Sequence, residues 1–129
     1  MNEVALIQKA IEARENAVAP YSDFKVGAAL LGASGAVYLG CNIENSAFSP
    51  TLCAERTAFA AAVARGEREF RAIAIVGDGK EWCYPCGVCR QVMAEFCDDD
   101  FNIIAAKDET DYDTTTLGAL LPHAFRLKK

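Results

Sequence analysis

Hydrophobic spacing divides the chain into helical stripes and short apolar runs. Residues 2–18 carry Val4, Ile7, Ala10, Ile11, Arg14 and Val18 at helical intervals until Pro20 stops the pattern. Residues 26–31 are a continuous apolar run, Gly32-Ala33-Ser34-Gly35 reads as a hairpin turn, and residues 36–40 return as a second strand. After a loop at 45–51, an alanine-rich helical run passes through Phe59 and Val63 and ends at Gly66. Residues 71–76, with Ile73, Ile75 and Val76, read as a buried strand. A loop at 77–84 bears the sole tryptophan, Trp82. From Pro85, the positions Cys86, Cys89, Val92, Met93 and Phe96 form a second stripe that ends near Cys97 and the solvated turn Asp98-Asp99-Asp100. A strand at 102–106, a short fifth strand around Tyr112 and a last helix or turn at 117–121 complete the order α-β-β-α-β-α-β-β-α. That order predicts a mixed sheet of about five strands covered by helices on both faces, in a single domain over residues 1–129.

Chemistry concentrates where two loops give way to helices. Cys53 and Glu55 open the first of these helices, and Cys86 and Cys89 open the second. Unpaired N–H groups and the helix dipole favour anions there and lower thiol pKa. Cys86 and Cys89 are three apart and share a helix face, so their sulfurs can close to the roughly 3.7 Å that a tetrahedral centre with Zn–S bonds of about 2.3 Å requires. With Cys53 as a third ligand, one position stays open for water, as in a catalytic zinc site. Glu55 points to another side of its helix and suits proton shuttling better than ligation. Asn42 and Glu44 flank Ile43 at strand spacing and so share a face, where an amide and a carboxylate can grip hydroxyls. Left without such a partner, they would stay unpaired at about 1–3 kcal/mol per group.

Cys53-Ala54-Glu55 followed by Pro85-Cys86-Gly87-Val88-Cys89 resembles the signature of the zinc-dependent cytidine deaminases in its all-Cys form. The resemblance extends over Pro20-Tyr21-Ser22-Asp23-Phe24-Lys25-Val26-Gly27-Ala28-Ala29-Leu30, over Gly40-Cys41-Asn42-Ile43-Glu44-Asn45, and over Leu120-Leu121-Pro122. It implies a three-layer α/β/α fold, a homotetramer with shared active sites, and a Zn²⁺ ion held by Cys53, Cys86 and Cys89. It also implies deamination of cytidine and 2′-deoxycytidine to the uracil nucleosides plus ammonia, with Glu55 moving the proton to N3. By the same resemblance Phe24 and Ala54 contact the base, Asn42 and Glu44 hold the ribose at its 3′-hydroxyl, and Phe125 stacks on the pyrimidine of a neighbouring subunit. The resemblance also implies that Arg56 hydrogen-bonds to the ligand thiolates, which would offset the excess negative charge of three thiolates on one divalent ion. Three positions depart from the family pattern: Phe48 where Tyr is common, Tyr84 where a small residue is usual, and Cys83, which makes an overlapping Cys-x-x-Cys. They keep open a deaminase of a modified cytidine or a nucleoside antibiotic.

Composition narrows the alternatives. A net charge of −5, with no basic run, excludes a protein that grips nucleic-acid backbone. No signal peptide and no apolar run of membrane length are visible, so six cysteines read as reduced thiols or metal ligands in a cytoplasmic protein. A closed zinc site using Cys83 as fourth ligand would leave Glu55 without a role, and thiol redox through Cys86 and Cys89 would leave Cys53 without one. Cys41 and Cys97 are expected as buried free thiols. His123, the sole histidine, lies far from the motifs and follows Pro122.

Overall fold

A computed structural model describes residues 1–127. Strands β1 (Gly27–Gly32), β2 (Val37–Cys41), β3 (Phe70–Val76), β4 (Asn102–Ala106) and β5 (Tyr112–Thr116) form one sheet in the order β2-β1-β3-β4-β5. Among these strands only β3 and β4 run parallel; the other neighbours are antiparallel. Helix α1 (Glu3–Arg14) covers one face, while α2 (Ala54–Ala64), α3 (Gly87–Phe96) and the short α4 (Leu117–Leu120) lie on the other. This is the expected mixed five-stranded sheet between two helical layers.

Side-chain alternation assigns each strand residue to one of two cores. Ala28, Leu30, Ile73, Ile75 and Ile103 pack beneath α2 and α3, whereas Ala29, Leu31, Ala74, Val76 and Ile104 pack beneath α1. Both faces of β1 are covered, so all six of its residues are buried and its sequence reads as an unbroken apolar run.

The first helix ends earlier than its stripe suggests. Asn2 caps it, with Oδ1 accepting from Ala5 N at 2.8 Å, and Arg14 is its last residue. Val18, counted on the stripe, instead donates its N–H to Asn42 O at 2.9 Å and accepts from Glu44 N at 2.8 Å. A long-range extended pairing there wins over the local helical pattern.

Two features seat the chemistry-bearing helices. A Cβ placed on Gly40 would lie 2.2 Å from Ala54 O and 2.5 Å from Ala58 N, so α2 rests directly on the backbone of β2. Its contact face is Ala54, Ala58 and Ala62, all fully buried, because larger side chains would hold the helix off the strand. On α3, Arg90 donates through Nε to Pro85 O at 2.7 Å and through Nη1 to Leu120 O at 2.8 Å, tying the start of the helix to α4. The loop from β3 to α3 leaves the carboxyl end of β3, the usual place for a site in an α/β sheet.

Candidate metal centre and pocket

Cys53 is the N-cap of α2 and Cys86 the N-cap of α3, and neither side chain makes a capping hydrogen bond. Cys89 follows in the first turn of α3 and is fully buried. The three sulfurs lie within 4.8 Å of one another, with Cys53 Sγ and Cys86 Sγ 3.8 Å apart. That separation matches the edge of a tetrahedron built on Zn–S bonds of about 2.3 Å. Among the described residues this is the one such cluster, and Cys83 is not part of it.

The donor set suits a thiophilic dication. The Cys53 thiol is pushed down to about 5, first by a hydrogen bond from Cys89 and then by Arg56 and Cys86. Cys89, the donor in that pair, is pushed up, and burial adds to the effect. Arg56 Nη2 donates to Cys53 Sγ at 3.6 Å and to Thr51 O at 3.2 Å, so a guanidinium stands against the sulfurs. Arg56 Nε is buried without a hydrogen-bond partner. The neighbourhood thus sets a guanidinium against the Cys53 thiolate.

Glu55, the second residue of α2, is 4% exposed, and desolvation pushes its carboxyl up to about 7, with the nearby Cys53 charge adding to the rise. A carboxyl near neutrality can both take and give a proton within one cycle. It faces a cavity of about 300 Å³ whose lining also includes Cys53, Cys86, Ala54, Phe24, Asn42 and Glu44. The structure therefore gathers seven of the site residues read from the sequence around one space. Cys89, fully buried, and Arg56, which bonds to Cys53, are outside that lining.

Asn42 and Glu44 are in the lining but are not unpaired. Asn42 Nδ2 donates to Phe24 O at 2.8 Å, and Asn42 Oδ1 accepts from Val26 N at 2.9 Å. Glu44 Oε1 accepts from Tyr21 N at 3.0 Å and from Ser22 N at 3.1 Å, while Ser22 Oγ donates to Oε2. The expected penalty for leaving both groups bare does not apply, because the loop at 20–26 already satisfies them. One N–H of Asn42 and further lone pairs of Glu44 remain for a ligand.

Phe125 is 68% exposed and absent from the cavity lining; Gln91 Nε2 donates to its carbonyl at 2.8 Å, which fastens the tail to α3. Sequence reading missed Ser22 as the group that orients Glu44, although it sits inside the quoted Pro20–Leu30 motif. It also missed Gly77: a Cβ there would lie 2.8 Å from Phe24 Cζ and 3.3 Å from Cys83 Sγ. A Cβ there would push the Phe24 ring back from that turn. The Cys83 thiol in the same wall is pushed up to about 12 by burial and by the charge of Glu55, so it stays protonated.

Residues 1–105 match the family model described as cytidine and deoxycytidylate deaminase zinc-binding region. The cytidine deaminase of Sporosarcina psychrophila is 51% identical over 125 residues, covering 97% of this chain and 92% of the relative. That of Halalkalibacterium halodurans is 49% identical over 125 residues, covering 97% and 95%. The crystal structure of cytidine deaminase from Burkholderia pseudomallei superposes with a TM-score of 0.93 at 48% identity, over 97% of this chain and 100% of that one. The Mycobacterium tuberculosis enzyme superposes with a TM-score of 0.87 at 37% identity, over 98% and 99%. With the three-sulfur cluster and its buried carboxyl in the matched fold, the chain belongs to the cytidine deaminase family.

Proposed function

We propose that this chain catalyses the hydrolytic deamination of cytidine and 2′-deoxycytidine, consuming water and releasing ammonia and the uracil nucleoside. The observation that carries the reading is Glu55, a buried carboxyl near neutrality beside three convergent sulfurs and open to a pocket. Cys53, Cys86 and Cys89 would hold Zn²⁺. When bound there, zinc acts as a Lewis acid that brings the pKa of water toward neutrality. Glu55 takes a proton from the attacking water and passes it to N3 of the pyrimidine. It later serves as the acid toward the departing amine, so one carboxyl works as base and then as acid. Burial suits it to both tasks, since a carboxyl at the usual value would release its proton too readily.

The remaining side chains bind and orient. Phe24, backed by Gly77, gives the base an aromatic wall, and Ala54 contacts it from the start of α2. Asn42 and Glu44 hold the 3′-hydroxyl with the capacity their loop bonds leave free. Arg56 keeps Cys53 as a thiolate ligand.

Tyr21, Phe48, Val88 and Phe125 are between 56% and 72% exposed, apolar side chains that a homotetramer would cover while bringing Phe125 to a neighbour's site. None of the six cysteines is in a disulfide, which favours a reducing cytoplasm, and the proposed reaction would serve pyrimidine salvage. Among the described residues no helix is long and apolar enough to cross a membrane.

The deciding experiment incubates zinc-loaded protein with cytidine, 2′-deoxycytidine and cytosine and follows ammonia and the uracil product. Both nucleosides should react, and cytosine should react more slowly because it forgoes the sugar contacts. Absence of product from both nucleosides would exclude the activity.

A further inference from the structure

The loop between β3 and α3 delivers Cys86 to the cluster, and it also carries Cys83 and Tyr84, which line the same cavity as Glu55 and Phe24. Two side-chain bonds fasten this loop to the β4–β5 hairpin. Trp82 Nε1 donates to Asp111 Oδ1 at 3.0 Å, and Tyr84 Oη donates to Asp113 Oδ2. Lys107 Nζ, 6.0 Å from the Trp82 ring centroid and 3.5 Å from Asp111 Oδ2, consolidates the first anchor. On the other side Cys83 Sγ and the Phe24 ring both lie against Gly77, where a Cβ would be 3.3 Å from the first and 2.8 Å from the second. Tyr84 is 38% exposed, yet its tip is fixed, so the ring cannot swing aside without breaking the bond to Asp113.

Chemistry indicates which edge of the base meets this wall. The reacting carbon C4 has three neighbours: N3, the exocyclic amine and C5. Glu55 exchanges its proton with N3 and so occupies that side. Cys83 and Tyr84, in the lining next to the sulfur cluster, are left to the side shared by the amine and C5, of which C5 is the position where a substituent can vary without removing the reacting group. A wall whose ring is tethered at its tip admits hydrogen at C5 and resists an alkyl group; one extra methylene in such a pocket typically changes specificity by about tenfold or more.

We infer that Tyr84, held in place by Asp113, is a specificity-determining residue that limits the size of the substituent at C5 of the pyrimidine. Asp113 is a positioning residue that acts through the Tyr84 ring. The inference rests on the deaminase reading above and adds a substrate boundary to it.

The test compares kcat/KM for cytidine and 5-ethylcytidine in the zinc-loaded enzyme. The unaltered chain should prefer cytidine by at least about tenfold. Tyr84→Ala should shift the ratio toward 5-ethylcytidine by about tenfold. Tyr84→Phe and Asp113→Ala keep the ring but release its tip; each should shift the ratio by about threefold, and the double variant no further than either alone. General loosening of the fold would scale both substrates together and leave the ratio where it was. If Tyr84→Ala does not fold, the two milder variants decide. A ratio within twofold of the unaltered chain in all variants that fold, or no preference in the unaltered chain, overturns the inference while cytidine turnover upholds the deaminase reading. No turnover of cytidine overturns both.

Discussion

Replacing Asn42 with alanine separates two jobs that one side chain performs in this site. Its amide bridges Phe24 O at 2.8 Å and Val26 N at 2.9 Å, and the residue is only 8% exposed. Alanine leaves a backbone carbonyl and a backbone N–H without their partners. An orphaned, largely buried group costs about 1–3 kcal/mol, and this one borders a cavity that admits some water, so the pair should cost about 2–4 kcal/mol. With a urea m-value of about 1–3 kcal/mol/M, the unfolding midpoint should fall by about 1–2 M. Trp82 fluorescence can follow the transition, at one protein concentration and saturating zinc because binding and assembly both shift apparent stability. Activity supplies a second readout. If the amide braces Phe24 as well as touching the sugar, kcat/KM should fall for cytosine too, which has no sugar to lose. A midpoint within about 0.3 M of the unaltered chain, together with unchanged cytosine turnover, would refute the bracing role.

Three further outcomes are expected. Cys53→Ala, Cys86→Ala and Cys89→Ala should each lose stoichiometric zinc by metal analysis, whereas Cys83→Ser should keep it, since Cys83 stands outside the sulfur cluster; normal occupancy in any of the first three removes that residue from the site. Glu55→Gln should retain zinc and fold but lose about 10²–10⁴-fold in kcat, and near-normal turnover would assign the proton to another group. Cys97 concerns stability at high pH: burial pushes its thiol from 9.0 up to about 12, so the folded chain keeps a proton that the unfolded chain releases. Its stabilising contribution is complete below pH 9.0 and is lost as pH rises toward about 12, amounting to about 1 kcal/mol by one unit above 9.0; Cys97→Ala should flatten the decline in urea midpoints over that window, and an unchanged slope would show that other groups cause it.

The sequence by itself determined the Cys86 and Cys89 pair and the layered fold, because both are written in local spacing, whereas Cys53 reached that pair only through the packing that sets its sulfur 3.8 Å from that of Cys86. Cys86 and Cys89 share a helix turn, and alanines recur along α2 where a helix must lie against a strand. The unbroken apolar run of β1 marked a strand covered on both sides. Each of these follows from the 3.6-residue and 2-residue periods, which need no knowledge of distant partners. What only the tertiary structure decided were relations across long separations. Val18 left its helical stripe because Asn42 and Glu44 offered it an extended pairing. Asn42 and Glu44, legible as a polar pair on one face, proved to be bonded to the loop at 20–26, a fact no spacing rule contains. Gly77 bears on the pocket only because Phe24, far earlier in the chain and part of its lining, rests against it. Tyr84 acquired a fixed orientation only through Asp113, 29 residues away on an adjacent hairpin. Ligand identity is carried by residue type and local period, whereas pocket shape is set by which distant side chains meet, and that depends on the packed sheet as a whole.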